Sequence, residues 1–161
     1  MNTISRDIVM QDLLTAMQER LWAGDKARRG SVVWQDRGAE VVVYPASLRL
    51  RMDAGWLVSA LELESDQTGR ETLELVFNLG KANQGDGLTA TTTLEGDDPS
   101  GLRTRWAEPV QAALWDGVLD AIESVLADAR RKDKKVGTRL VLAGFTGSAQ
   151  ALQLTLAEVA S

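Results

Sequence analysis

Between Leu61 and Val76 the chain reads Leu-Glu-Leu-Glu-Ser-Asp-Gln-Thr-Gly-Arg-Glu-Thr-Leu-Glu-Leu-Val, an alternation that runs into a polar turn and back out again. Strict period-two alternation points successive side chains to opposite faces of a strand, so Leu61, Leu63, Leu73 and Leu75 must share one face. Glu62, Glu64, Thr72 and Glu74 then share the other. Two registers keep that rule: a seven-residue loop sets Glu62 opposite Glu74, and a five-residue loop sets Glu64 opposite Arg70 and Glu62 opposite Thr72. Like charges directly opposite destabilise a ladder, whereas an opposite-charge pair adds ~0.2–1 kcal/mol. The shorter loop is therefore expected. A chain built on this hairpin is committed to an antiparallel sheet with one apolar and one polar face.

The same period covers the chain from Ser31 to about Glu95. Val32–Trp34, Glu40–Tyr44, Leu48–Met52, Trp56–Glu64, Thr72–Leu79 and Leu88–Glu95 read as strands, punctuated by Gln35–Gly38, Asp53–Gly55 and a glycine-containing loop from Gly80 to Gly87. Pro45 is expected to end its strand or to place it at a sheet edge. Pairing Met52 with Leu57 brings Arg49 and Arg51 onto the glutamate face, with Arg49 opposite Ala60; Thr89, Thr91 and Thr93 would continue that face. Arginine neighbours lower carboxylate pKa values, whereas general acid/base work needs a cleft and a raised one. The glutamates thus read as a solvated or interfacial surface.

Helical spacing flanks the sheet region. Val9, Met10, Leu13, Leu14, Met17 and Leu21 predict a helix from about Ser5 to Trp22, with Ser5 as its N-cap and Lys26–Gly30 as a charged loop after it. Val110, Leu114, Val118, Ala121, Ile122, Val125 and Ala129 predict a second from Glu108 to Arg131. Pro109 would sit in its first turn, and the basic run Arg130–Lys135 would complement its carboxyl end. Thr138–Phe145 and Ala149–Val159 follow as two strands. The expected fold is one α+β domain over residues 1–161: a two-layer, mostly antiparallel sheet of about six to eight strands, packed by the N-terminal helix and the long second helix, and ending in a C-terminal β-hairpin.

Composition narrows function by exclusion. The 161 residues include no cysteine and no histidine, which removes disulfides, thiolate nucleophiles, serine–histidine catalysis and ordinary zinc sites. A net charge of −5 gives no surplus of cations for phosphates, so no nucleic-acid partner is expected. The N-terminus carries Arg6, Asp7 and Asp12 where a signal peptide would be apolar, and no run approaches the ~18 apolar residues of a membrane helix. A cytoplasmic protein without a membrane partner is the expectation. The glycine-containing loop lacks the order of a phosphate-binding loop and leads to a strand, and Gly144–Ser148 is no nucleophile elbow. Asp116, Asp120 and Glu123 have a metal-compatible helical spacing but fall opposite the apolar stripe, on the solvent side.

The chain is rich in tryptophan for its size, with Trp22, Trp34, Trp56, Trp106 and Trp115. Tryptophan concentrates in cores, pocket rims and interfaces. Trp22 projects from the end of the first helix, off its stripe, and joins Arg49, Arg51, Glu62 and Glu74 as a candidate interface residue. Trp56, Trp106 and Trp115 are candidates to line an apolar pocket between sheet and long helix. The element order is similar to that of acidic secretion chaperones and of phage tail-completion proteins, although the chaperone pattern ends in a helix and this chain in a strand. The expectation is a non-enzymatic interaction or assembly module, cofactor-free, with a protein partner or a second copy of itself. A binder of a small apolar ligand is the alternative, and a carboxylate-dependent metal enzyme ranks below both.

Overall fold

The computed structural model describes residues 2–23, 26–53, 55–79, 91–94, 97–133 and 135–161. In chain order the elements are β1 (Thr3–Val9), α1 (Met10–Leu21), β2 (Lys26–Arg28), β3 (Ser31–Asp36), β4 (Ala39–Asp53), β5 (Trp56–Ser65), β6 (Gly69–Asn78), β7 (Thr91–Leu94), α2 (Leu102–Lys132), β8 (Thr138–Gly147) and β9 (Ala151–Ala160). The fold is α+β, with an N-terminal helix, a long second helix and a C-terminal hairpin, as expected. All strand pairs are antiparallel. They form a six-stranded sheet, β2-β3-β4-β5-β6-β7, and a separate three-stranded sheet, β1-β9-β8.

The larger sheet follows the alternation of the sequence. Glu64 lies opposite Arg70 and Glu62 opposite Thr72, the short-loop register. Met52 pairs with Leu57 and Arg49 with Ala60. The inner face carries Val43, Leu57, Leu61, Leu63, Leu73, Leu75 and Phe77, all buried. Arg37 and Gly38 connect β3 to β4 with φ of 50° and 82°, a two-residue turn whose twist matches that of the strands it joins.

Both helices pack on that inner face. Leu13, Met17 and Leu21 of α1, spaced by four, meet Val110, Leu114, Val118 and Ala121 of α2 in one hydrophobic cluster that also draws on both sheets. The helices touch most closely at Gly117, where a Cβ would lie 2.5 Å from the Cα of Met17. Trp115 links the layers, its ring 6.1 Å from that of Phe77 in β6 and 6.1 Å from that of Phe145 in β8. Arg20 and Asp120 add an exposed two-pronged ion pair between the helices, at 2.5 and 2.8 Å. The hydrogen bonds and charge of Arg20 hold the Asp120 carboxyl below its usual range.

Three local expectations are corrected and one is narrowed. Residues 3–9 are not the first turns of a helix but a strand, because they pair along their length with β9; Ser5 lies opposite Thr155, and α1 starts at Met10 with Val9 as its cap. Lys26–Arg28 pairs with β3 and is a short strand. Pro45 does not end β4; it lies just past Val43, the last residue of β4 paired with β3, where the strand becomes an edge. It falls in an irregularity between Tyr44 and Arg49, where the missing N–H removes no ladder bond, and β4 runs on to Asp53, paired from Arg49 onward with β5 alone. Helix α2 begins at Leu102, so Pro109 lies inside it.

The early start of α2 has its own cap. The Asp98 carboxylate accepts the backbone N–H groups of Arg103 (3.3 Å) and Thr104 (2.7 Å), and the Ser100 hydroxyl accepts that of Leu102 (3.2 Å). Ser100 also donates to Glu71 of β6 at 2.7 Å, tying the helix start to the sheet. Burial alone would raise the Asp98 pKa; the hydrogen bonds from Thr104 and Arg103 and the Arg103 charge outweigh it and hold the carboxyl below its usual range. Among the described residues no helix is long and apolar enough to cross a membrane.

Candidate functional site

With both helices on the inner face, the other face of β4, β5 and β6 has no helix of the described residues packed on it. Its side chains stand in cross-strand rows set by register. Asp53, Trp56 and Asn78 form the first row; Arg51, Val58 and Val76 the second; Arg49, Ala60 and Glu74 the third; Tyr44, Glu62 and Thr72 the fourth; Val42, Glu64 and Arg70 the last. Four of the five residues expected at an interface, Arg49, Arg51, Glu62 and Glu74, are thus gathered on one surface.

The polar end of this face is tightly tied. Arg70 donates to Glu62 at 2.9 Å, one row along the ladder from its direct partner Glu64. Its guanidinium also lies over the Tyr44 ring, 3.7 Å from the centroid. The Tyr44 hydroxyl donates to Glu64, and that bond, with burial and the Glu64 charge, holds the phenol's proton above its ordinary range. Ser47, in the irregular stretch of β4, accepts the N–H of Glu62 at 2.9 Å and donates to the Tyr44 carbonyl at 2.6 Å. The Glu62 and Glu64 carboxylates are therefore engaged by arginine and tyrosine.

At the opposite end Trp56, Val58 and Val76 form an apolar strip bordered by Asp53, Asn78 and Arg51. Trp56 is 42% exposed, and Val58 and Val76 beside it are half-buried. Arg51 leans to Asp53 at 3.8 Å. Among the described residues Arg49 and Glu74 are both exposed and neither is in an ion pair. Thr91 and Thr93 fall opposite Asn78 and Val76 in the β6–β7 register, whereas Thr89 lies outside the described residues.

The tryptophans expected to line one pocket do not come together. Trp106 is 2% exposed, and Trp115 lies against Phe77 and Phe145, so both belong to the helical side of the sheet. Trp56 is on the other side. Its parity could have shown this, because Leu57 and Leu61 point inward and Trp56 must point out with Ala60. Trp106 borders a surface cleft of about 440 Å³ where the β3–β4 and β5–β6 turns meet the start of α2, alongside Thr68, Ser100 and Arg105. Trp22, 36% exposed, caps α1 and so stands with the helices, away from the strand face. Asp116, Asp120 and Glu123 are exposed on α2, with Asp120 held by Arg20. No protein-family model, curated protein or solved structure matches the chain.

Proposed function

We propose that the protein is a non-enzymatic interaction or assembly module that works through the open face of β4–β6 in the cytoplasm. The observation that carries this reading is the surface itself. An exposed tryptophan with flanking valines adjoins arginines and glutamates whose positions are fixed by ladder register and by the Tyr44–Glu64–Arg70–Glu62 network. Aromatic anchors with arginine beside them are the composition of interface centres, and a rigid sheet presents them without an ordering cost on binding. The closed inner face, filled by Phe77, Trp106 and Trp115, supports this reading over a small apolar ligand.

Native mass spectrometry and light scattering across a concentration series test it. Assemblies that form with rising concentration, and that weaken in Trp56→Ala more than in Trp22→Ala, are the expected result. A bare monomer at every concentration with no retained mass counts against self-association. A monomer that retains a few hundred daltons would instead favour the ligand-binding alternative.

A further inference from the structure

The open face is self-complementary in one particular way, and we infer that its occupant is a second copy of this chain, docked face to face about a two-fold axis parallel to β5. The inference rests on the sheet-face reading above and adds a partner and a geometry. Ala60 stands at the middle of its row, with Arg49 on one side and Glu74 on the other. A two-fold axis running above β5 exchanges the two sides. It therefore sets Arg49 of each copy over Glu74 of the other, and an isologous interface makes each such contact twice. Facing sheets pack ~10 Å apart, a gap that an arginine and a glutamate bridge between them.

The apolar residues of the middle strand agree. Residues of β5 lie under the axis and meet themselves, so Trp56 packs on Trp56 and Val58 on Val58 in the apolar strip. Glu62 and Glu64 would each meet their own copy, but Glu62 already carries Arg70 at 2.9 Å and Glu64 the Tyr44 hydroxyl, which lessens the repulsion. An axis across the strands at the Ala60 row fails where this one succeeds: it sets Arg49 over Arg49 and Glu74 over Glu74, like charges against like. The face is small. Three strands spaced ~4.8 Å, from Trp56 to Glu64 in length, cover roughly 400 Å², about half the area one partner contributes to a standard stable interface. The dimer is accordingly a weak, concentration-dependent one, held by few contacts and sensitive to each.

Charge exchange tests this. Arg49→Glu and Glu74→Arg each put like charges in register across the axis, and the double variant restores opposite ones. Both side chains are exposed and outside any ion pair among the described residues, so the fold of each variant should survive; an unchanged melting temperature and far-ultraviolet spectrum verify that. Sedimentation equilibrium of the full chain from about 1 to a few hundred micromolar gives the dissociation constants, a range set by the small area. Each single reversal should weaken the dimer about tenfold or more, and the double variant should recover to near the wild-type value. Wild-type dimers that are indifferent to both reversals, or a double variant as weak as the two singles combined, overturn this docking while leaving self-association through another surface standing. A wild-type monomer throughout overturns both.

Discussion

Replacing Gly117 by alanine should destabilise the protein although it improves the helix. Two effects oppose each other. Alanine in a helix interior is favoured over glycine by ~1 kcal/mol, because glycine loses more backbone freedom on folding. Against this stands the crossing of α1 and α2, where a Cβ at position 117 would lie 2.5 Å from the Cα of Met17 and 3.0 Å from both the Met17 nitrogen and the Ala16 carbonyl oxygen. Those are backbone atoms of α1, so no rotamer change relieves the contact; carbon atoms need ~3.5–4 Å, and the helices must part by about 1 Å or more. Parting them loosens Leu13, Met17, Leu114 and Val118, which are at most 1% exposed. Overpacking of this kind costs typically ~1–3 kcal/mol, and the close approach to rigid backbone places Gly117→Ala toward the upper end. The net loss is therefore ~1–2 kcal/mol, or roughly 2–8 °C in melting temperature for a chain of this size. Urea unfolding followed by tryptophan fluorescence measures it. Gly147→Ala is the matched control, since its Cβ would also meet an atom at 2.5 Å, but that atom is the Met52 sulfur, at the far end of a side chain that can swing away. It should cost less than ~1 kcal/mol. A Gly117→Ala protein as stable as wild type would refute the close crossing of the helices.

Two further outcomes follow from the start of α2. Asp98→Asn should flatten the loss of stability in acid: the folded Asp98 pKa lies below the unfolded value, so its contribution is fully present above the ordinary aspartate range and disappears as pH falls through the folded value. Urea titrations between pH 5 and pH 2.5 compare the two slopes, and parallel curves would show that the Asp98 cap is not formed. Pro109→Ala should raise stability by ~1 kcal/mol or more, because Pro109 lies inside a helix that runs from Leu102 and cannot donate to the Arg105 carbonyl; a loss on thermal unfolding would instead place the helix start after Arg105.

How far each feature could be read in advance depends on how local its cause is. The β5–β6 register was legible because it is decided within one hairpin, by leucine parity and by the repulsion that setting Glu62 opposite Glu74 would bring. Met52 opposite Leu57 follows from the same parity across a tight connection. Strand β1 was not legible. Its partner β9 is the last strand of the chain, and within residues 3–9 nothing reveals that Ser5 will face Thr155 while the neighbouring helical spacing invites extension. The sequence predicts too short a second helix for a related reason: Pro109 is favoured in a first turn, and the true start relies on Asp98 and Ser100, polar residues that read equally well as loop. The division of the strands between two sheets has no local signature either, since the smaller sheet joins β1 from the start of the chain to β8 and β9 at its end. The candidate surface shows the same divide in one residue. Parity alone turns Trp56 outward, but tryptophan's tendency to be buried argues for a pocket, and only the assembled sheet decides between them. Once Trp56 faces out, Arg49, Ala60 and Glu74 two rows beyond become a row with a left and a right end of opposite charge. A face of that kind is matched by its own copy turned over, which is why a property invisible along the chain makes self-recognition the interaction to test first.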